Sequence, residues 1–213
     1  MYFAIEGVIG VGKTTLARLL QPSYSANVLL EIFEENPFLS RFYTDRARYA
    51  FQTQIFFLLS RYQQQNRNVP ELLSTGETLI SDYTFDKDAL FARINLSGDE
   101  LEMYNRVHAA LAEKIPRPDL VIYLRASTDT LMQRITMRDR PYERSMERNY
   151  IESLNQAYDA FYLNPERSSR TLVIDTNELD FVHTPEDLEW VDNRIRQTLH
   201  LPPFQPELPL ADR

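Results

Sequence analysis

The sequence predicts an α/β protein in which a doubly wound, five-stranded parallel sheet is flanked by helices. Five short runs of consecutive apolar residues are typical of strands that are buried on both faces of a parallel sheet. Between them lie longer segments whose apolar residues recur every three or four positions, as in amphipathic helices. Strands that alternate with helices in this way indicate the α/β class. The predicted strands are residues 2–5, 28–33, 78–81, 120–124 and 171–174.

The longest predicted helix covers residues 45–68. Ser97 and Thr184 each precede acidic residues, which is the pattern of a helix N-terminus. The last residues, 202–213, are rich in proline and lack periodicity, so we expect a single domain over residues 1–201 followed by an extended tail. The other predicted helices are residues 97–114, 128–138, 146–163 and 185–199.

Composition excludes several classes of function. The 213 residues are 43% hydrophobic and 25% charged, which is ordinary for a globular domain. The net charge of −8 argues against a nucleic-acid-binding surface. We expect no membrane span, because no apolar run reaches the length of one, and no signal peptide, because the N-terminus leads directly into a predicted strand; a cytoplasmic location is the simplest fit. The absence of cysteine excludes disulfides, thiolate chemistry and cysteine-ligated zinc.

Three of the five glycines lie within six residues, in the segment GVIGVGKTT between the first predicted strand and a helix. This G-x-x-x-x-G-K-[ST] pattern is the phosphate-binding P-loop, whose backbone N–H groups and helix N-terminus attract anions. Lys13 would contact the β- and γ-phosphates, and the Thr14 hydroxyl would coordinate Mg²⁺. We therefore predict a nucleoside triphosphate site, with ATP and Mg²⁺ held by Gly7, Val8, Ile9, Gly10, Val11, Gly12, Lys13, Thr14 and Thr15.

Charged side chains elsewhere are expected to meet this loop. Ligands of a doubly wound sheet bind beyond the carboxyl ends of its strands, where Glu6, Glu31, Glu34 and Asp82 lie in the sequence. Five arginines fall within fifteen residues of an otherwise acidic chain. Beside a P-loop, such a cluster predicts an arginine-rich lid that faces phosphate. The five are Arg134, Arg138, Arg140, Arg144 and Arg148.

A P-loop does not by itself identify the phosphate acceptor. GTPases carry an N-K-x-D motif that is absent here, and the chain is too short for a multidomain ATPase, so a small kinase remains. A hydroxyl acceptor is helped by a carboxylate base, for which Glu31 is the candidate, whereas a monophosphate acceptor needs fixed arginines. A thymidylate-kinase-like nucleotide kinase and a regulatory protein that uses its P-loop as a sensor are the alternatives.

Several segments, in order and spacing, resemble the deoxyribonucleoside kinases over residues 1 to about 175. The resemblance implies transfer of the γ-phosphate of ATP to the 5′-hydroxyl of a small-molecule deoxynucleoside. It also implies a homodimer through the two long helices, for which the aromatic residues Phe56, Phe57 and Tyr104 are candidates. The segments are EIFEENPFL at 31–39, FY at 42–43, FQTQ at 51–54 leading to SR at 60–61, SDYTFDKD at 81–88 and RITMRDRPYE at 134–143.

The resemblance also implies roles for individual residues at the reacting centre. Glu31 matches the family's general base, and Asp82 matches an acid that helps to hold Mg²⁺. Lys13 and the lid arginines Arg134, Arg138 and Arg140 match the groups that bind ATP phosphates, with Arg138 and Arg140 neutralising charge in the transition state.

The nucleoside pocket is implied in the same way. Tyr43 and Glu143 match the pair that binds the sugar 3′-hydroxyl and disfavours a 2′-hydroxyl. Gln54 matches the glutamine that reads the base, Phe91 lies near the stacking aromatic, and Arg61 with Asp88 matches a coupled pair that shapes the base pocket.

One position departs from the family. Tyr83 stands in the substrate site where the family commonly has an arginine, and a neutral phenol cannot supply positive charge. Other groups must therefore orient the 5′-hydroxyl and Glu31. The D-Y pair with a following lysine and the R-P-Y-E sequence at 140–143 resemble bacterial deoxyguanosine kinases, whereas Gln54 also occurs in kinases for deoxyadenosine and deoxycytidine. The resemblance implies a purine deoxynucleoside, deoxyguanosine before deoxyadenosine, in nucleotide salvage.

Overall fold

A computed structural model describes residues 1–33, 35–166 and 170–203, and it confirms the α/β class. In these residues five parallel strands form one sheet of order β2-β3-β1-β4-β5. The order reverses at β1, which pairs with β3 on one side and β4 on the other, so a crevice opens at its carboxyl end. The strands are β1 (Tyr2–Glu6), β2 (Ala26–Leu29), β3 (Thr78–Ser81), β4 (Leu120–Arg125) and β5 (Thr171–Asp175).

Helices flank the sheet, and those over 128–138 and 185–199 have the predicted bounds. The long helix continues six residues past its predicted end, through Pro70. Two helices had not been predicted, α2 and α4, and both border the candidate site. The helices are α1 (Lys13–Leu20), α2 (Leu39–Thr44), α3 (Arg46–Ser74), α4 (Asp86–Asn95), α5 (Gly98–Ala112), α6 (Thr128–Arg138), α7 (Arg148–Tyr162) and α8 (Pro185–Leu199).

Strand burial follows position in the sheet. All five residues of β1 are buried, as expected for a central strand. The prediction of consecutive burial was wrong for the edge strand β5, in which Leu172 and Ile174 are buried but Val173, on the opposite face, is 38% exposed. The predicted bounds of β2 were also wrong, since β2 pairs with β3 only as far as Leu29. Glu31 therefore lies in the loop beyond β2, and Glu34 lies outside the described residues.

The structure also bears on the predictions about a membrane span, a dimer surface and the C-terminal tail. No helix in the described part of the chain is long and apolar enough to cross a membrane. Phe57 and Tyr104 are buried, so the expectation that they contribute to a dimer surface was wrong for both. Most of the predicted tail, residues 204–213, lies outside the described residues.

Candidate active site

The P-loop connects β1 to α1, and its three glycines adopt positive φ angles. Gly7 has φ +148°, and a Cβ there would lie 2.5 Å from the carbonyl oxygen of Leu124 on β4. Gly12 has φ +102° and is the N-cap of α1. Both conformations are open to glycine and strained for other residues. The loop therefore brings the positive end of α1 to the carboxyl end of the sheet.

Lys13, the first residue of α1, folds back over this loop. Its Nζ donates to the carbonyl oxygens of Gly7 at 2.8 Å and Val8 at 3.2 Å. Burial, reinforced by the positive charge of Lys87, lowers the pKa of Lys13 to about 8, although the nearby carboxylates oppose this. Among the described residues, the ammonium donates to carbonyl oxygens and not to a carboxylate, and it lies beside a helix N-terminus that attracts anions.

Two adjoining cavities share the P-loop and the lid. Both are lined by Gly10, Lys13, Thr14, Arg138 and Arg140. One extends along α1 and is lined in addition by Gly12, Thr15, Arg18 and Leu19. The other extends toward α3 and α4, and it contains most of the predicted acceptor residues: Glu31, Tyr43, Gln54, Arg61, Asp82, Phe91 and Glu143.

Glu31 is almost enclosed, with a side chain that is 12% exposed, and two cations hold its carboxylate. Arg61 from α3 donates from Nε at 3.0 Å and also from Nη2 to Oε1, while Lys87 from α4 donates to Oε2 at 2.5 Å. Burial alone raises the pKa of Glu31, but Lys87 and Arg61 outweigh it and lower the pKa well below its ordinary range. Glu31 is therefore a carboxylate at neutral pH.

Asp82, directly after β3, connects the P-loop to the loop that carries Glu31. Its Oδ2 accepts a hydrogen bond from the Thr14 hydroxyl, and its Oδ1 accepts one from the backbone N–H of Glu31 at 2.7 Å. A hydroxyl and a carboxylate side by side are oxygen ligands of the kind Mg²⁺ prefers, completed by substrate phosphates and water. Among the described residues, no group of three or more histidine, cysteine, aspartate or glutamate side chains is placed so that it could hold a metal ion.

The far end of the acceptor cavity carries the predicted base-reading groups. Gln54 is 2% exposed, and within the described chain nothing donates to its Oε1. Arg61 forms an ion pair with Asp88, and its guanidinium lies 4.4 Å from the centre of the Phe57 ring. Phe91 lines the same cavity. Aromatic rings can stack on a planar ligand, and buried amide and guanidinium groups beside them can form hydrogen bonds with its edge.

The wall next to the lid carries the predicted sugar-binding pair. Glu143 is 5% exposed, and its two carboxylate oxygens each accept a hydrogen bond from Nη2 of Arg138 at 2.7 Å. Tyr43 stacks on Tyr142, with ring centres 6.4 Å apart. Burial raises the pKa of Tyr43, which keeps its hydroxyl protonated as both donor and acceptor. The lid and the predicted sugar pair are thus one connected unit.

Several sequence predictions are corrected by these positions. Arg134 lines neither cavity, because its guanidinium donates to the hydroxyl and carbonyl of Thr176 after β5. Tyr83 is fully buried behind the sheet end, and its hydroxyl donates to Gln64. The remaining lid arginines form exposed ion pairs away from the P-loop, Arg144 with Asp139 and Arg148 with Asp129.

Other cavity residues were not predicted at all. Lys87 was visible in the sequence only as part of a motif. Its side chain lines the cavity because α4 begins at Asp86, which places Lys87 in the first turn of that helix. Phe57 was assigned to a surface, although its position three residues after Gln54 on a helix places both on one face. Phe33 and Tyr142 line the cavities and were visible only as members of motif segments, whereas Arg18 lines a cavity without any local signal in the sequence.

Comparison with known proteins identifies the family. The family model described as deoxynucleoside kinase matches residues 3–200. This chain belongs to the deoxynucleoside kinase family. It is therefore a phosphotransferase, and the resemblance of its motifs is confirmed at the level of the family.

Relatives of this deoxynucleoside kinase include proteins named deoxyguanosine kinase and deoxyadenosine kinase. It is 34% identical to a deoxyguanosine kinase of Bacillus subtilis (strain 168), over 93% of this chain and 97% of that one. It is 32% identical to a deoxyadenosine kinase of Dictyostelium discoideum, over 95% and 84% of the two chains. A solved structure of deoxyadenosine kinase from M. mycoides with bound dATP superposes with a TM-score of 0.79 at 28% identity, covering 92% of this chain and 99% of that chain.

Proposed function

We propose that this deoxynucleoside kinase transfers the γ-phosphoryl group of ATP to the 5′-hydroxyl of a purine deoxynucleoside, and that it serves nucleotide salvage. The observation that carries the proposal is the cavity in which the ionised carboxylate of Glu31 and the ammonium of Lys13 line the same space. A buried carboxylate opposite a P-loop is what a hydroxyl acceptor requires. A sensor needs no such acid, and the family match favours a nucleoside over a nucleoside monophosphate as acceptor.

Each group has a part in the proposed reaction. The 5′-oxygen forms a bond to the γ-phosphorus as the bond to the leaving ADP oxygen breaks, and the hydroxyl proton passes to Glu31. Lys13, Arg138 and Arg140 bind the phosphates and neutralise charge on the transferred group. Thr14 and Asp82 would hold Mg²⁺, which supplies further charge neutralisation on the phosphates. The protein contributes mainly position and electrostatics, because phosphoryl transfer needs little covalent chemistry.

Deoxyguanosine is the proposed first substrate and deoxyadenosine the second. Support comes from the deoxyguanosine kinase relative at 34% identity and from the R-P-Y-E sequence of the lid. Gln54 offers the base both a donor and an acceptor, of which the acceptor has no protein partner among the described residues. A homodimer stays a proposal that rests on the family resemblance.

The test is an acceptor series. ADP release from ATP and Mg²⁺ is measured with each of the four common deoxynucleosides at equal concentration, with the corresponding monophosphates, and without acceptor. We expect turnover with deoxynucleosides, highest with deoxyguanosine. Turnover with monophosphates alone would instead support the thymidylate-kinase-like alternative. ATP binding without acceptor-dependent ADP release would support a sensor.

Glu143→Ala should weaken deoxynucleoside use and reduce the preference for deoxyribose over ribose. The variant removes a nearly buried carboxylate, and a hydrogen bond to a charged group contributes about 1.5–3 kcal/mol, so we expect kcat/KM to fall roughly 10- to 100-fold. Steady-state kinetics with matched deoxy- and ribonucleosides provide the measurement. Glu152→Ala, at an exposed acid on α7, is the control. An unchanged deoxyribose preference in Glu143→Ala would refute the assignment.

A further inference from the structure

Lys87 is a buried cation to which the family resemblance assigns no role. It lies in the first turn of α4, is 6% exposed, and lines the acceptor cavity. Its Nζ donates to Oε2 of Glu31 at 2.5 Å and lies 5.6 Å from the centre of the Phe91 ring. Burial of an ammonium is costly unless it is paired, so the ion pair with Glu31 accounts for its presence there.

Among the described residues, the other side chain that donates hydrogen bonds to Glu31 is Arg61, and it donates to Oε1. Arg61 divides its guanidinium between Glu31 and Asp88. Tyr83, next to Asp82 in sequence, directs its hydroxyl to Gln64 and does not line the cavity. Lys87 is therefore the cation that fixes the second carboxylate oxygen of Glu31.

The two carboxylate oxygens are not equivalent. Among the described residues, Oε1 accepts two hydrogen bonds from Arg61, from Nε and Nη2, whereas Oε2 accepts one, from Lys87. A carboxylate oxygen has two lone-pair directions, so Oε2 keeps one of them for a further donor. A hydroxyl group in the cavity would therefore meet Oε2, the oxygen whose direction Lys87 sets.

We propose that Lys87 is a positioning residue for phosphoryl transfer, which holds Oε2 of Glu31 in the direction that accepts the proton of the acceptor hydroxyl. The proposal rests on the proposed function. It assigns Lys87 no contact with ATP, so its loss should act on turnover rather than on ATP binding. A displacement of a reacting group by about 1 Å can cost roughly 100-fold in rate.

The experiment compares Lys87→Met, Lys87→Arg and the wild type. Lys87→Met keeps the length of the apolar stem but removes the charge, and we expect kcat to fall about 10- to 100-fold with KM for ATP within about twofold. Lys87→Arg keeps a donor and should recover at least about tenfold of that loss. Arg93→Met removes an exposed cation from the same helix and should leave kcat unchanged. Thermal unfolding of each variant shows whether the fold is retained.

Each outcome has one meaning. The proposal would be overturned if Lys87→Met kept the wild-type kcat, or if its KM for ATP rose while kcat stayed unchanged. It would also be overturned if Lys87→Met and Lys87→Arg lost equal amounts of kcat at equal thermal stability. If Lys87→Met does not fold, Lys87→Gln takes its place in the same comparison. If the wild type shows no nucleoside-dependent ADP release, the proposed function itself is wrong. This result is distinguishable from one that contradicts only the role of Lys87.

Discussion

Glu31→Gln is expected to lower kcat by about 10²- to 10⁴-fold, the usual contribution of a positioned general base. The amide has nearly the same shape as the carboxylate, but it cannot take the proton of the acceptor hydroxyl. It also leaves two buried cations, Arg61 and Lys87, without their shared anion. ATP binding should survive, because Glu31 belongs to the acceptor cavity and does not line the cavity along α1.

Two measurements check this expectation. Steady-state ADP release with saturating deoxynucleoside gives kcat, and calorimetric titration with ATP gives Kd. Glu35→Gln is the matched control, since Glu35 is an exposed acid four residues further along the same segment. Turnover of Glu31→Gln within about threefold of the wild type would remove Glu31 as the general base.

Lys13→Ala is expected to abolish measurable phosphoryl transfer, with a loss of at least about 10²- to 10³-fold in kcat. Lys13 is the ammonium of the P-loop and lines both cavities, so it can stabilise the transferred group as charge develops. The fold should persist, because Lys13 donates its hydrogen bonds to two loop carbonyl oxygens and forms no ion pair with a carboxylate among the described residues. Circular dichroism and thermal unfolding check the fold, and exposed Lys114→Ala is the control.

The depressed pKa of Lys13 adds a pH dependence of definite sign. A triphosphate binds the ammonium form, and in the free enzyme this form declines as pH rises through about 8. The Kd for ATP should therefore increase above about pH 8, and binding there should take up a proton. Calorimetry in buffers of different ionisation enthalpy measures the uptake. Proton uptake of equal size in Lys13→Ala would assign it to another group.

Periodicity and spacing predicted the parts of this protein that depend on neighbouring residues in the chain. The helices over 128–138 and 185–199 and the strand over 78–81 were predicted with the bounds that the structure has. The bounds of β2 were not, because the strand ends where its partner β3 ends, and pairing between strands is not encoded locally. The exposure of Val173 on the edge strand β5 was not predicted either, because which face of a strand is covered depends on packing between distant segments.

The same distinction between local and long-range contacts applies to the candidate site. The sequence by itself determined the P-loop and the family, because a strand, a glycine-rich turn and a helix N-terminus form a phosphate site from contiguous residues. Only the tertiary structure decided which of five clustered arginines line the cavities and which cations hold Glu31. Arg134 and Arg138 lie four residues apart on one helix, yet one contacts Thr176, just after β5, and the other contacts Glu143. The difference lies in what each meets across space, and contacts between distant segments exist only once the sheet and its helices have packed together.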